Sequence, residues 1–309
     1  MISFLTARLT SALVVVLGVA CLVFLLIHLV PGDPVEVMLG ESARASDRAA
    51  LREALGLDKP LLSQLLSYLE SLLRLDPGES LYSKRPISEI LAERLPATAL
   101  LAVVALLVAV AIAFPMGVLA ALRQNTAWDF GAMGVSMVGV SIPNFVMGPV
   151  LILLFSFTLG WFPVSGMQGP ASIVLPALTL GTALAAILSR MVRAALLEVL
   201  NEDYVRTARA KGLSEFRVIT RHALRNATLP ILTLIGLQLG TLLGGAVITE
   251  MVFAWPGIGQ LTVEAIQRRD YPLLQACVLV ISVAYVTVNT LTDVLYGWLD
   301  PRIRIHGDA

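Results

Sequence analysis

Side chains able to do covalent or metal chemistry are few in these 309 residues, and they are scattered. The two cysteines, Cys21 and Cys277, both lie in apolar runs, which leaves neither a disulfide framework nor a thiolate metal site. His28, His222 and His306 stand far apart and do not make a zinc site by themselves. No G-x-x-x-x-G-K-S/T run is present: none of Lys59, Lys84 and Lys211 follows a glycine and precedes Ser or Thr, so no P-loop cradles nucleotide phosphates. An intramembrane protease needs a Ser–His or Asp–Asp pair at membrane depth, and no motif links Ser165 to His28. What remains is binding chemistry. Residues 201–230 set Arg206, Arg209, Lys211, Arg217, Arg221 and Arg225 around the small residues Ala208, Ala210 and Gly212. Small residues let another protein's backbone approach, and the arginines supply charge-assisted hydrogen bonds. A basic loop of this kind also serves simply as a topology determinant.

The elements that position these residues are apolar. The chain is 57% hydrophobic and 14% charged, with a mean hydropathy of +0.82, whereas a soluble domain carries about 25% charged residues. It is therefore read as an all-α integral membrane protein, and its zero net charge excludes a strongly basic nucleic-acid binder. About 20 helical residues cross the hydrocarbon layer. The first uncharged run lies between Arg8 and Asp33 and the second between Arg94 and Arg123. The third extends from Phe130 to Ser189, 60 residues, and the cluster from Gly160 to Gly166 divides it into spans at about 130–158 and 172–193. Two more fall near 227–249 and 273–297, which makes six transmembrane helices. The first is read as a permanent anchor, because its apolar part exceeds the ~7–15 residues of a signal peptide.

Six spans put both termini on one side. Counting short segments only, twelve basic residues fall on the side of the termini and two, Arg268 and Arg269, on the other, so both ends are expected in the cytoplasm. The chain divides into an anchor (1–30), an extracytoplasmic segment (31–95), five further helices (96–297) carrying the cytoplasmic loop 201–230, and a tail (298–309). Within 31–95, Ser46 is placed to cap a short helix stopped by Gly56, and Pro60 opens a second with a leucine stripe. Asp76-Pro77-Gly78 forms a turn, and Pro86 opens a third amphipathic piece. These helices either pack on the bundle or form a docking surface for an external partner.

Inside the spans, Asp293 is nearly the only ionisable residue, and a pair with Arg190 or Arg193 is its structural reading. Polarity along a path falls to Asn144 after the kink at Pro143, to Gln238 and to Asn289. Gly236, Gly240, Gly244 and Gly245 serve close helix packing or the path. The segment from Glu250 to Gly259 is apolar but irregular, holding Pro256, Gly257 and Gly259. Glu250, Asp270, Arg268 and Arg269 either hold the ends of a peptide or are solvated rim charges.

Residues 203–230 resemble the EAA loop of ABC importer permeases in the form found in the dipeptide, oligopeptide and glutathione subfamily. Arg206 stands at the position of the leading Glu and Leu224-Arg225 at the later Leu-Pro pair, while Ala208, Gly212 and Leu224 keep their places. Pro31-Gly32-Asp33-Pro34, Leu55-Gly56-Leu57-Asp58-Lys59-Pro60, Leu175-Pro176-Ala177-Leu178-Thr179-Leu180-Gly181, Trp255-Pro256-Gly257-Ile258-Gly259, Arg268-Arg269-Asp270-Tyr271-Pro272 and the tail Asp300-Pro301-Arg302-Ile303-Arg304 extend the resemblance over nearly the whole chain.

The resemblance implies a type I ABC importer permease fold in the bacterial inner membrane. It implies a transport subunit without enzymatic activity, carrying no cofactor of its own, with ATP and Mg on two separate ATPase subunits. The other implied partners are a second homologous permease subunit, an extracytoplasmic substrate-binding protein, membrane lipid and a peptide substrate. Arg206, Ala208, Arg209, Gly212 and Glu215 are its implied ATPase-coupling residues; Trp255, Pro256, Gly257, Arg269 and Asp270 form its binding-protein-facing loop. Glutathione or a nickel chelate would use the same motifs. An ion-coupled peptide carrier, the rival of another class, would need several intramembrane carboxylates or histidines.

Overall fold

The computed structural model describes residues 2–29, 35, 39, 44–54 and 57–299. These are almost wholly helical; the one extended feature among them is a bridge between Glu79 and Pro86. In chain order the helices are α1 (Ile2–Leu29), α2 (Ala45–Ala54), α3 (Leu61–Leu73), α4 (Ile87–Leu122), α5 (Ala127–Ser141) and α6 (Asn144–Leu151). A π turn over Ile152–Thr158 continues α6, and a 3-10 turn over Pro170–Ile173 leads into α7 (Val174–Leu200). Then come α8 (Asp203–Ala210), α9 (Leu224–Val252), α10 (Ile258–Gln267) and α11 (Tyr271–Leu299). Helices α1, α4, α7 and α11 are long and apolar enough to cross a membrane, and α5 with α6 forms a bent pair that passes the same test. At the remaining expected crossing stands α9, 29 residues long with no charge between Arg225 and Glu250.

The core is the contact of α4 with α7. Ala97, Leu101, Ala105, Ala109, Ala113, Gly117 and Ala121 recur every fourth residue along α4, and all are buried. A stripe of small residues at that spacing lets two helix backbones approach closely, which replaces the hydrophobic drive that lipid does not supply. A Cβ on Gly181 would lie 2.9 Å from the Ala105 carbonyl oxygen, and one on Gly117 would lie 2.7 Å from that of Ser189. Pro96 and Pro115 sit inside α4 without ending it. The helix begins at Ile87, so the amphipathic piece expected after Pro86 is the first part of this span, and the boundary drawn at 95/96 lies within one helix.

Between α5 and α6 the chain turns by 102°. Pro143 supplies the reason: a proline ring excludes the residue before it from the helical region. Ile142 accordingly adopts φ −89°, ψ 113°. The span expected over 130–158 is thus a sharply folded pair. Two polar links tie α5 to α7. The Ser136 and Ser189 hydroxyls are 2.7 Å apart, and Arg193 donates two bonds of 2.6 Å to the buried carboxylate of Asp129. Arg193 is therefore not the partner of Asp293, which pairs instead with Arg8 at 2.8 Å, joining α1 to α11. Of the two arginines expected for Asp293, Arg193 is held by Asp129 and Arg190 is exposed.

Two local expectations also change. Helix α2 starts at Ala45, so Ser46 lies inside its first turn, where its hydroxyl donates to Asp47 Oδ1 at 3.3 Å rather than capping. The stop at Gly56, the Pro31–Pro34 motif and the tail from Asp300, with His306, lie outside the described residues. Helix α3 begins after Pro60 as expected, and none of its residues is more than partly buried. Tyr68 stacks on Phe24 of α1 with ring centroids 5.9 Å apart. Burial there, with a smaller contribution from Cys21, pushes the Tyr68 phenol up to about 12. The exposed leucines of α3, Leu61, Leu62, Leu66 and Leu73, face away from the bundle.

Candidate coupling loop and outer loop

The loop 201–230 folds as two helical pieces broken at Gly212, whose φ of +77° explains the glycine: no neighbour lies within 4 Å, so conformation rather than space requires it. Ser214 occupies the position before the second piece, but its side chain makes no capping bond. Across the break, Arg209 Nε and Nη2 donate to Glu215 Oε1 and Oε2 at 2.8 and 3.3 Å. Beneath, Val205, Ala208 and Val218 form a small buried cluster with Leu200 and Leu213 against it. Ala208 thus turns inward, and its small size lets the chain's own second piece close on α8. Arg206, Arg209, Gly212 and Glu215 are exposed. So are Tyr204 and Phe216, the latter 78% exposed, which the sequence reading passed over. An unburied aromatic beside an arginine and a helix break is a common composition of a protein-binding surface. The second piece, Glu215–Arg217, continues through a π turn, Val218–Ala223, directly into α9.

At the other end of α9 the chain makes a tight, buried turn. Glu250, a path candidate, is 0% exposed. Thr98 Oγ1 donates to Glu250 Oε1 at 2.7 Å and the Gln260 amide to Oε2 at 2.9 Å. Thr98 Oγ1 in turn accepts the Ile258 amide at 2.8 Å. The first amide groups of α10, which lack partners in their own helix, are thus satisfied by a carboxylate and a hydroxyl from two other helices. Trp255 is buried and donates its indole N–H to the Ala97 carbonyl at 2.9 Å. A Cβ on Gly257 would lie 2.2 Å from Glu250 Oε1, and one on Gly259 2.9 Å from Oε2. The motif from Glu250 to Gly259 is therefore a packing unit, with its glycines making room for the carboxylate.

Asp270 is buried as well. It accepts the Ser80 hydroxyl at 2.5 Å and the Leu81 and Tyr82 amides at 3.1 and 3.3 Å, and so fastens the turn ahead of α4 to the start of α11. The sequence reading missed Ser80 and Thr98; their short polar side chains carry no signal until a carboxylate is seen against them. Of the outer-loop candidates, Arg269 is exposed with φ +51°, Pro256 is half-buried, and Trp255, Gly257 and Asp270 are buried. Arg268 lies over the Tyr82 ring at 4.3 Å. A cleft of about 180 Å³ opens beside it, lined by Tyr82, Arg94, Glu264 and Arg268 among others.

The three amides expected along the path stand on three different helices. Asn144, Gln238 and Asn289 are all half-buried, on α6, α9 and α11. Gly236 and Gly240 are packing positions: a Cβ would lie 2.1 Å from Thr292 and 2.6 Å from Tyr285 of α11. The surroundings of Gly244 and Gly245 lie outside the described residues. No group of three or more His, Cys, Asp or Glu able to hold a metal occurs among the described residues.

Comparison with known proteins is consistent along the chain. Residues 113–305 match the family described as binding-protein-dependent transport system inner membrane component, and residues 1–102 match its N-terminal family. Similar curated proteins include a di/tripeptide transport system permease protein DppB of Pseudomonas aeruginosa, 45% identical over 98% of this chain and 99% of that one. The glutathione transport system permease protein GsiC of Salmonella choleraesuis and the dipeptide transport system permease protein DppB of Escherichia coli K12 are each 42% identical, with the same shares covered. Among solved structures, a chain of the inward-facing MetNI methionine ABC transporter aligns with a TM-score of 0.59 at 20% identity, covering 69% of this chain and 97% of that one. A chain of an amino acid ABC transporter with histidines aligns at 0.54 and 14% identity, covering 68% and 94%. The chain belongs to the family of inner membrane components of binding-protein-dependent transport systems, with the ABC importer permease fold.

Proposed function

We propose that this chain is the transmembrane subunit of an ATP-driven importer of di- and oligopeptides. It forms half of the translocation path with a second, homologous permease subunit and works with two ATPase subunits and an extracytoplasmic binding protein. The observation that carries this reading is the loop 201–230: an exposed, basic, internally braced helix pair that runs without a break into α9. Its contact surface is Arg206, Arg209, Gly212 and Glu215 with Tyr204 and Phe216, while Ala208 supports it from below. Closure of the ATPases on ATP would push this surface and tilt α9, with hydrolysis carried out by those subunits. The basic bias of the short segments supports placing both termini and the loop in the cytoplasm. The cleft lined by Tyr82 and Arg268 then faces the binding protein. A peptide substrate is supported by the di/tripeptide and dipeptide relatives, and glutathione, itself a tripeptide, is the alternative that the GsiC relatives support.

In proteoliposomes holding the complete transporter, import is expected to stop when the ATPase subunits are inactivated and to survive an uncoupler. Import that persists with inactive ATPases would end this reading. Identifying the ligand held by the binding protein separates peptide from glutathione. Gly212→Glu, at a left-handed exposed position, is expected to leave the chain in the membrane but abolish import.

A further inference from the structure

Helix α9 is the element that spans from the coupling loop to the outer turn. Its 29 residues extend about 43 Å at ~1.5 Å per residue. Its first turn continues the coupling loop, and its last turn holds Glu250. There the carboxylate meets two other helices at once: Thr98 of α4 at 2.7 Å and the first turn of α10 through Gln260 at 2.9 Å. Its partners all donate to it, and Thr98 is itself oriented by the Ile258 amide. The same turn returns a second fastening to α4 through Trp255 and the Ala97 carbonyl, and Trp255's own amide donates to the Glu250 carbonyl at 2.8 Å. Nothing in this arrangement leaves the carboxylate open to a solute.

We propose that Glu250 and Thr98 are positioning residues that tie the outer end of α9 to α4 and α10, so that a tilt of α9 begun at the coupling loop moves the outer helices as one body. The carboxylate does not touch substrate. Its buried charge is held by the α10 amides and the Thr98 hydroxyl, and the strength of those charge-assisted bonds is what resists slippage between the three helices. Gly257 and Gly259 exist without side chains to let it in. This inference rests on the transport reading above.

The test is import kinetics of the complete transporter in proteoliposomes, with peptides of net positive, neutral and net negative charge. Glu250→Gln, which keeps the shape but weakens the acceptor, is expected to lower the maximal rate about tenfold. KM is expected to stay within about twofold for every peptide, since no substrate contact is lost. Thr98→Ala should reproduce the loss and Thr98→Ser, which keeps the hydroxyl, should restore it to within about twofold. An unchanged maximal rate in Glu250→Gln overturns the proposal. So does a KM rise confined to one charge class, which would mark Glu250 as a substrate contact. Failure of both Glu250→Gln and Thr98→Ala to accumulate in the membrane, with Thr98→Ser normal, would show a purely structural role and overturn it as well. Wild-type import that does not depend on ATP would instead remove the transport reading, so the two failures are distinguishable.

Discussion

The two ends of α9 are built on opposite principles. At the end that carries Glu250, that carboxylate and the one of Asp270, just ahead of α11, are buried, and each oxygen is bonded to a group from another element. At the loop 201–230 the two ion pairs, Arg209 with Glu215 and Arg206 with Asp203, are both exposed, and the cluster of Val205, Ala208 and Val218 lies buried beneath. A buried carboxylate with several donors is costly to disturb, because each lost partner leaves an unsatisfied group. An exposed pair is worth little by itself, so its charges and the neighbouring Phe216 remain available to a partner. The Glu250 end is built to hold its shape, and the 201–230 end leaves charged and aromatic groups exposed.

Four substitutions would break or sharpen that contrast, each read as thermal stability of the purified chain or complex in detergent. Gly257→Ala drives a Cβ to 2.2 Å from Glu250 Oε1. It is expected to cost about 3 kcal/mol through overpacking and displaced hydrogen bonds. Asp270→Ala strands the Ser80 hydroxyl and the Leu81 and Tyr82 amides, with an expected loss of about 2 kcal/mol. Gly212→Ala places a Cβ on a residue at φ +77° in open space, and about 1 kcal/mol is expected from the backbone alone. Arg209→Ala is expected to change stability by less than about 0.5 kcal/mol while reducing import. Should Arg209→Ala destabilise as much as Asp270→Ala, the contrast between the ends collapses.

Much of the fold was legible in the sequence because long uncharged runs have few alternatives in a membrane. The breaks came from prolines and glycines read directly: Pro143 folds α5 against α6, and the residues from Gly160 to Gly166 separate that pair from α7. The fourfold stripe of small residues on α4 was not read, because hydropathy does not distinguish a packing face from a lipid face. Ion pairs were not legible. Asp293 has several arginines within reach in sequence terms, and only the tertiary arrangement assigns Arg8 to it and Arg193 to Asp129. Of the candidate site, the break at Gly212 was legible, whereas the inward placement of Ala208, Trp255, Gly257 and Glu250 was not. Residues repeated in a motif can be there for packing, and the carboxylate-to-glycine contact that explains Glu250 spans positions that only a folded turn brings together.

The most direct measurement is ATP hydrolysis and import recorded together in proteoliposomes, comparing wild-type transporter with Phe216→Glu. Phe216 is 78% exposed on the loop 201–230. The account predicts that the variant assembles in the membrane but loses both import and the rise in hydrolysis that binding protein and substrate produce. Import and hydrolysis at wild-type levels in Phe216→Glu would contradict it.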